Sequence, residues 1–247
     1  MTNTEYDATE ALAVAVAAYE HNRGYLKEKQ WEPGVTKVAF WPNKELLRAY
    51  YNIDYSNAEN QPPLLKVTNE HLARAEEIRN YTKKNIFKAL GYKPKTDELG
   101  ISMESIPYDV QIYQKVNQEK VTVFDFGYIA SAPLYFENGK KRDFAKNTVR
   151  EIESKHVGSI TGKVVLDDFL VIRVSKSKNF SGYVVQGVCE GNLFLYFASG
   201  DLSHLNVGDK INIEAKIKDH ILENDTVPMT KLHYVRERKS NAHSFSI

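Results

Sequence analysis

An α+β chain is predicted, with an α-rich N-terminal part followed by a C-terminal five-stranded β-barrel. Three observations predict it. Apolar residues recur at helical spacing in several stretches between Thr9 and Leu90. After Gly158 the pattern changes to short runs of alternating or continuous apolar residues separated by turn residues. The 247 residues, 42% of them hydrophobic, can fill one large core or two small ones.

Taken in order, Thr9 to Lys29 places Leu12, Val16, Tyr19 and Leu26 near helical spacing, and Trp31-Glu32-Pro33-Gly34 ends that helix. A short helix over Lys44 to Tyr51 follows Pro42-Asn43. Asn57 to Pro63 reads as a loop. The helix from about Glu70 to Leu90 is the clearest: Thr68 or Asn69 caps it, Gly91 and Pro94 stop it, and Leu72, Ala75, Ile78 and Ile86 share one stripe. Tyr108 to Val116 and Lys120 to Tyr128 alternate like strands joined by a turn at Asn117-Gln118, and Leu134-Tyr135-Phe136 before Asn138-Gly139 is a further strand-to-turn signal. Asp143 to Lys155 reads as a connecting helix, with Phe144, Thr148, Val149 and Ile152 on one side. The expected boundaries are 1–156 for the α-rich part, 157–238 for the barrel and 239–247 for a tail.

The barrel strands are Ile160 to Ser175, Tyr183 to Cys189, Leu193 to Phe197, Lys210 to His220 and Met229 to Arg236. Asp167-Asp168 interrupts the first, as a bend must if one strand is to serve both sheets of a small barrel. In the fourth, Ile211, Ile213, Ala215 and Ile217 alternate with Asn212, Glu214, Lys216 and Lys218. The run Leu193 to Gly200, then Leu205-Asn206-Val207-Gly208-Asp209, then Ile213 to His220, then Thr230-Lys231-Leu232, resembles oligonucleotide/oligosaccharide-binding (OB) domains of bacteriophage and plasmid single-stranded-DNA-binding and replication proteins. The resemblance spans about a third of the chain. Tyr196 stands where such domains often carry Trp in the third strand.

The resemblance implies a binding face on the second and third strands, flanked by loops. It nominates Tyr183, Phe194 and Tyr196 as stacking platforms and Phe180 at a loop rim. Lys176 and Lys178 would neutralise phosphates, and Lys216, Lys218 and His220 would approach from the other side. This requires a particular register. Phe194 and Tyr196 lie on one face of the third strand and Leu193, Leu195 and Phe197 on the other, and one set must be core. The wholly apolar set is assigned to the interior because the Tyr196 hydroxyl wants a partner. The face of Tyr183 depends on the turn at Glu190-Gly191-Asn192, since a slip of one residue reverses a strand.

Other chemistry is excluded on spacing. Gly158 to Val164 hints at a phosphate loop, but it is one residue short and Val164 follows the lysine. Asp125, Glu137, Lys140 and Lys141 do not match the acid–lysine spacing of metal-dependent nucleases. The single cysteine, Cys189, rules out an internal disulfide, and the seven histidines are scattered. No catalytic constellation, metal site or cofactor is therefore expected. With a formal net charge of +1, a nucleic-acid partner must be held by a local patch or by stacking. Ala11 to Ala18 follows acidic residues and falls far short of a membrane span, so a cytoplasmic protein of a bacterial or infected cell is expected. The leading expectation is a non-enzymatic binder of single-stranded nucleic acid, DNA foremost, from a phage or mobile element. Its N-terminal part would contact a replication or host protein, and the runner-up is a module that only docks on such proteins. The many tyrosines suit either reading.

Overall fold

A computed structural model describes residues 4–34, 38–53, 61–90, 107–177 and 181–238. The chain divides into two compact units, Met1–Asn138 and Gly139–Ile247. The expected boundary at 156/157 marks the approach to the strands, whereas the compact units divide inside a helix.

In the first unit, β1 (Glu5–Asp7) leads into α1 (Ala8–His21), whose N-terminus is capped by the Asp7 carboxylate accepting from the Thr9 and Glu10 N–H groups at 2.9 Å. Every residue of α1 from Ala11 to Ala18 is buried, so it is the central helix of this unit. Its alanines let neighbouring elements approach closely. The other elements of this unit are β2 (Gln30–Trp31), β3 (Val38–Phe40), α2 (Asn43–Tyr50), α3 (Asn69–Leu90), α4 (Tyr108–Val116), β4 (Lys120–Thr122) and the start of α5 (Phe126–Arg150), with α2, α3, α4 and β4 packed on α1. β1 pairs antiparallel with β4, and β2 with β3.

Two expected strands of this unit are helices. Tyr108–Val116 forms α4 because Val110, Ile112, Tyr113 and Val116 are all buried, a spacing that a helix gathers onto one side. Only Lys120–Thr122 of the second expected strand is extended. A 3₁₀ turn over Val123–Asp125 then opens α5, started by a capping box between Thr122 and Asp125. Leu134 to Gly139, expected as strand and turn, lies inside α5. That helix accommodates Pro133, and burial of Phe126, Ile129, Ala130 and Phe136 outweighs the local helix-breaking composition.

The second unit is a closed barrel of β5 (Lys163–Lys176), β6 (Tyr183–Cys189), β7 (Asn192–Ala198), β8 (Lys210–Glu223) and β9 (Val227–Arg238), in the order β5-β6-β7-β9-β8. β7 and β9 run parallel and the other neighbours antiparallel. This topology is compatible with the OB type, and the fold class is α+β as expected. β5 bends at the expected place: its pairing with β8 shifts register between Leu166 and Phe169, and Asp168 takes φ 53°. The β6–β7 hairpin closes on Glu190-Gly191, both with positive φ, which pairs Cys189 with Asn192. Phe169, Val171, Val185, Phe194, Tyr196, Ile213 and Ile217 fill the interior, and Leu205 joins them from the connection between β7 and β8.

A second apolar cluster lies on the outside of the barrel. Ile172, Val188, Leu193, Leu195 and Met229 are buried there, with Ala145, Val149 and Ile152 of the preceding segment packed against them. The connection is also hydrogen-bonded to the barrel. The Ser154 hydroxyl accepts from the Leu193 N–H (2.8 Å) and donates to the Pro228 carbonyl (2.6 Å), while the N–H groups of Lys155 and Val157 donate to Asn192 Oδ1 and Thr230 Oγ1.

Candidate functional site

The register of β7 is the reverse of the one expected. Phe194 and Tyr196 are 1% and 3% exposed and belong to the barrel interior, while Phe197, assigned to the core, is 46% exposed. The physical reason is that β7 is buried on both faces over most of its length. Its inner face meets the barrel core, and Leu193 and Leu195 on its outer face lie in the cluster that Val149 and Ile152 cover. A strand buried on both sides reads as a continuous apolar run, in which side-chain polarity no longer reports which face is inside. Burial, and then the Glu237 carboxylate, push the Tyr196 hydroxyl pKa up to about 12. Phe194 and Tyr196 are therefore unavailable as stacking platforms. Tyr183 shares their alternation, pairing with Ala198 at the end of the β6–β7 ladder, and is half-buried.

The other nominated residues that the structure describes, Lys176, Lys216, Lys218 and His220, do not form one site. Lys176 is exposed at the end of β5, opposite Tyr183. Lys178 and Phe180 lie outside the described residues. His220 faces the connection into the barrel: its ring stacks on His156 at 4.6 Å, and its Nε2 donates to the Val157 carbonyl at 3.3 Å. Lys216 and Lys218 are exposed along β8, alternating with buried Ala215 and Ile217.

Lys216 leads to a site not foreseen from the sequence. With Lys163, Val165, Glu214, Tyr234 and Arg236 it lines a groove of about 400 Å³ on the outer surface of β5, β8 and β9. Pairing sets these side chains side by side: Lys163 opposite Lys216, Val165 opposite Glu214, and Glu214 opposite Arg236. Tyr234 is 75% exposed and sits on a bulge. Because Glu214 pairs with Arg236 and Lys216 with His233, Tyr234 and Val235 together oppose Ala215. The Tyr234 backbone adopts φ 52°, uncommon for an aromatic residue, and the Lys216 ammonium lies 5.9 Å from its ring centroid. His233 packs on Tyr234 with centroids 4.4 Å apart, and nearby on β9 the Lys231 ammonium lies 5.0 Å over the exposed Phe197 ring. The outer surface thus presents two exposed aromatic rings, each with a lysine over it.

The features set aside on spacing have structural roles. Asp125 accepts from the Thr122 N–H and hydroxyl at 2.9 and 3.0 Å and pairs with Lys115 at 2.8 Å, while Glu137 pairs with Arg74. Burial raises the Asp125 pKa, but its hydrogen bonds to Lys115 and Thr122 and the lysine charge outweigh it and hold the carboxyl below its ordinary value. Gly158 to Gly162 is a turn, tied to β8 by the Thr161 N–H donating to the Ile217 carbonyl. Burial, then the carboxylates of Glu190, Asp167 and Asp168, push the Cys189 thiol pKa up, and its Sγ contacts the Asp167 carbonyl at 3.1 Å. Among the described residues no group of three or more His, Cys, Asp or Glu is placed to hold a metal ion, and no helix is long and apolar enough to cross a membrane.

Comparison with protein-family models, with curated proteins and with solved structures gives no match for this chain.

Proposed function

We propose that this chain binds single-stranded nucleic acid, DNA foremost, through the outer groove of its barrel and without catalysing a reaction. The observation that carries the reading is Tyr234, exposed on its bulge in one groove with Lys163, Lys216 and Arg236. An exposed aromatic ring offers a stacking surface to any base, worth about 1–3 kcal/mol per base, and adjacent cations neutralise the phosphates on either side. The exposed Phe197 ring offers a second stacking surface. Stacking of this kind needs unpaired bases, so the site favours single strands over duplex. The setting suggested by the sequence resemblance, replication, recombination or repair in a phage or mobile element, belongs to the same proposal.

The test is fluorescence anisotropy with single-stranded DNA, single-stranded RNA and duplex at low and moderate salt. Single strands bind in preference to duplex, more weakly as salt rises, and Tyr234→Ala lowers affinity roughly tenfold. Absence of binding to any oligonucleotide at low salt would overturn the reading and leave docking on a protein partner as the alternative.

A further inference from the structure

The groove contains one acid among its cations. Glu214 is exposed in β8, between Val165 on β5 and Arg236 on β9. Its carboxylate makes no hydrogen bond or ion pair among the described residues, although Lys163, Lys216 and Arg236 line the same groove. Toward a phosphate backbone a carboxylate is repulsive, so it weakens a site that recognises phosphate alone. It becomes useful where bases enter, because an ionised carboxylate is an acceptor with two oxygens and no donor.

The four bases differ sharply toward such a group. Guanine carries N1–H and the N2 amino group side by side on its Watson–Crick edge, two parallel donors that match the two carboxylate oxygens. Adenine and cytosine each place an amino group beside a ring nitrogen that is itself an acceptor. Thymine and uracil have one N–H between two carbonyl oxygens. Single strands leave these edges open to hydrogen bonding while the base stacks on an aromatic ring. On the reading that the groove holds single-stranded nucleic acid, we propose that it selects guanine. The base stacks on Tyr234, Glu214 accepts from N1–H and N2–H, and Lys163, Lys216 and Arg236 take the flanking phosphates.

The experiment is anisotropy titration of a short oligothymidylate carrying one central guanine, hypoxanthine or adenine, against the unsubstituted strand. Hypoxanthine keeps N1–H and lacks the N2 amino group. Guanine binds about tenfold tighter than thymine alone, and hypoxanthine falls between them. In Glu214→Gln the guanine preference collapses while the unsubstituted strand binds at least as well, because a negative charge has left the groove. Glu214→Thr, at an exposed strand position where a β-branched residue fits, repeats the loss of preference. Equal binding of all four strands overturns guanine selection and leaves the nucleic-acid reading standing. A preference that survives both variants, or hypoxanthine binding as tightly as guanine, overturns the role of Glu214. Failure of every strand to bind overturns both.

Discussion

Tyr196 shows what one residue of β7 contributes when it points inward. Its ring packs with Phe169 in the barrel interior at a centroid distance of 6.2 Å, and it is buried together with Val185 and Phe194. Truncation there removes core volume that the closed barrel cannot readily collapse to fill. Tyr196→Ala is expected to cost about 3–5 kcal/mol of stability, read as a lower urea midpoint, whereas Tyr196→Phe keeps the ring and changes stability by less than about 1.5 kcal/mol. Any weakening of nucleic-acid binding in the alanine variant should track loss of folded protein. A fully folded Tyr196→Ala variant with reduced affinity would contradict the interior assignment. At this scale the sequence was misleading for a definite reason. The hydroxyl of Tyr196 suggested an outward side chain, yet its ring is enclosed by the barrel, while wholly apolar Phe197 lies where the covering segment no longer reaches. Asn43 was equally hard to foresee. It is fully buried, its Oδ1 accepts from Leu26 N–H and Asn22 Nδ2, and nothing in its local sequence distinguishes it from a surface N-terminal residue of α2.

At the scale of elements, the bulge in β9 links fold to site. A regular ladder would give Ala215 one partner; the extra residue re-aims Tyr234 outward at φ 52°, a conformation that costs an aromatic residue of the order of 1 kcal/mol and that glycine adopts freely. Tyr234→Gly is therefore expected to leave the thermal midpoint unchanged or slightly raised while weakening single-strand binding roughly tenfold. A marked fall in stability would show that the exposed ring supports the barrel instead of serving a ligand. The bulge could not be read from Met229 to Arg236, because its cause is the pairing with β8. The bend in β5 could be read, since Asp167-Asp168 interrupts an otherwise apolar run and Asp168 takes the positive φ. The same distinction explains the helices. α2, α3 and the Asp143 to Arg150 part of α5 carried their own signals, whereas α4 and the first part of α5 formed against short-range alternation because packing around α1 rewards the helical spacing of Val110, Ile112 and Val116, and of Phe126, Ile129 and Phe136.

Over the whole molecule, a net charge of +1 supplies no long-range attraction for a polyanion, so any electrostatic contribution must come from the groove itself. The groove draws Lys163, Lys216, Tyr234 and Arg236 from the first, fourth and fifth strands of the barrel, far apart in sequence. The barrel was legible because each strand has its own pattern; the site was not, because it exists only once the barrel closes. This arrangement fixes how binding should respond to salt. Each phosphate neutralised on a single strand contributes a slope of about −0.7 to the logarithm of the binding constant against the logarithm of salt concentration, so three groove cations give about −2. Titrations across a range of monovalent salt should return that value for the wild-type chain and a slope shallower by about 0.7 for Lys216→Ala or Arg236→Ala. Lys218→Ala, on the same strand but outside the groove lining, should leave the slope unchanged. A wild-type slope of about −4 or steeper would mean that phosphates are also held elsewhere on the chain. A slope near zero with affinity intact would mean that stacking alone holds the strand and that the groove cations serve another purpose.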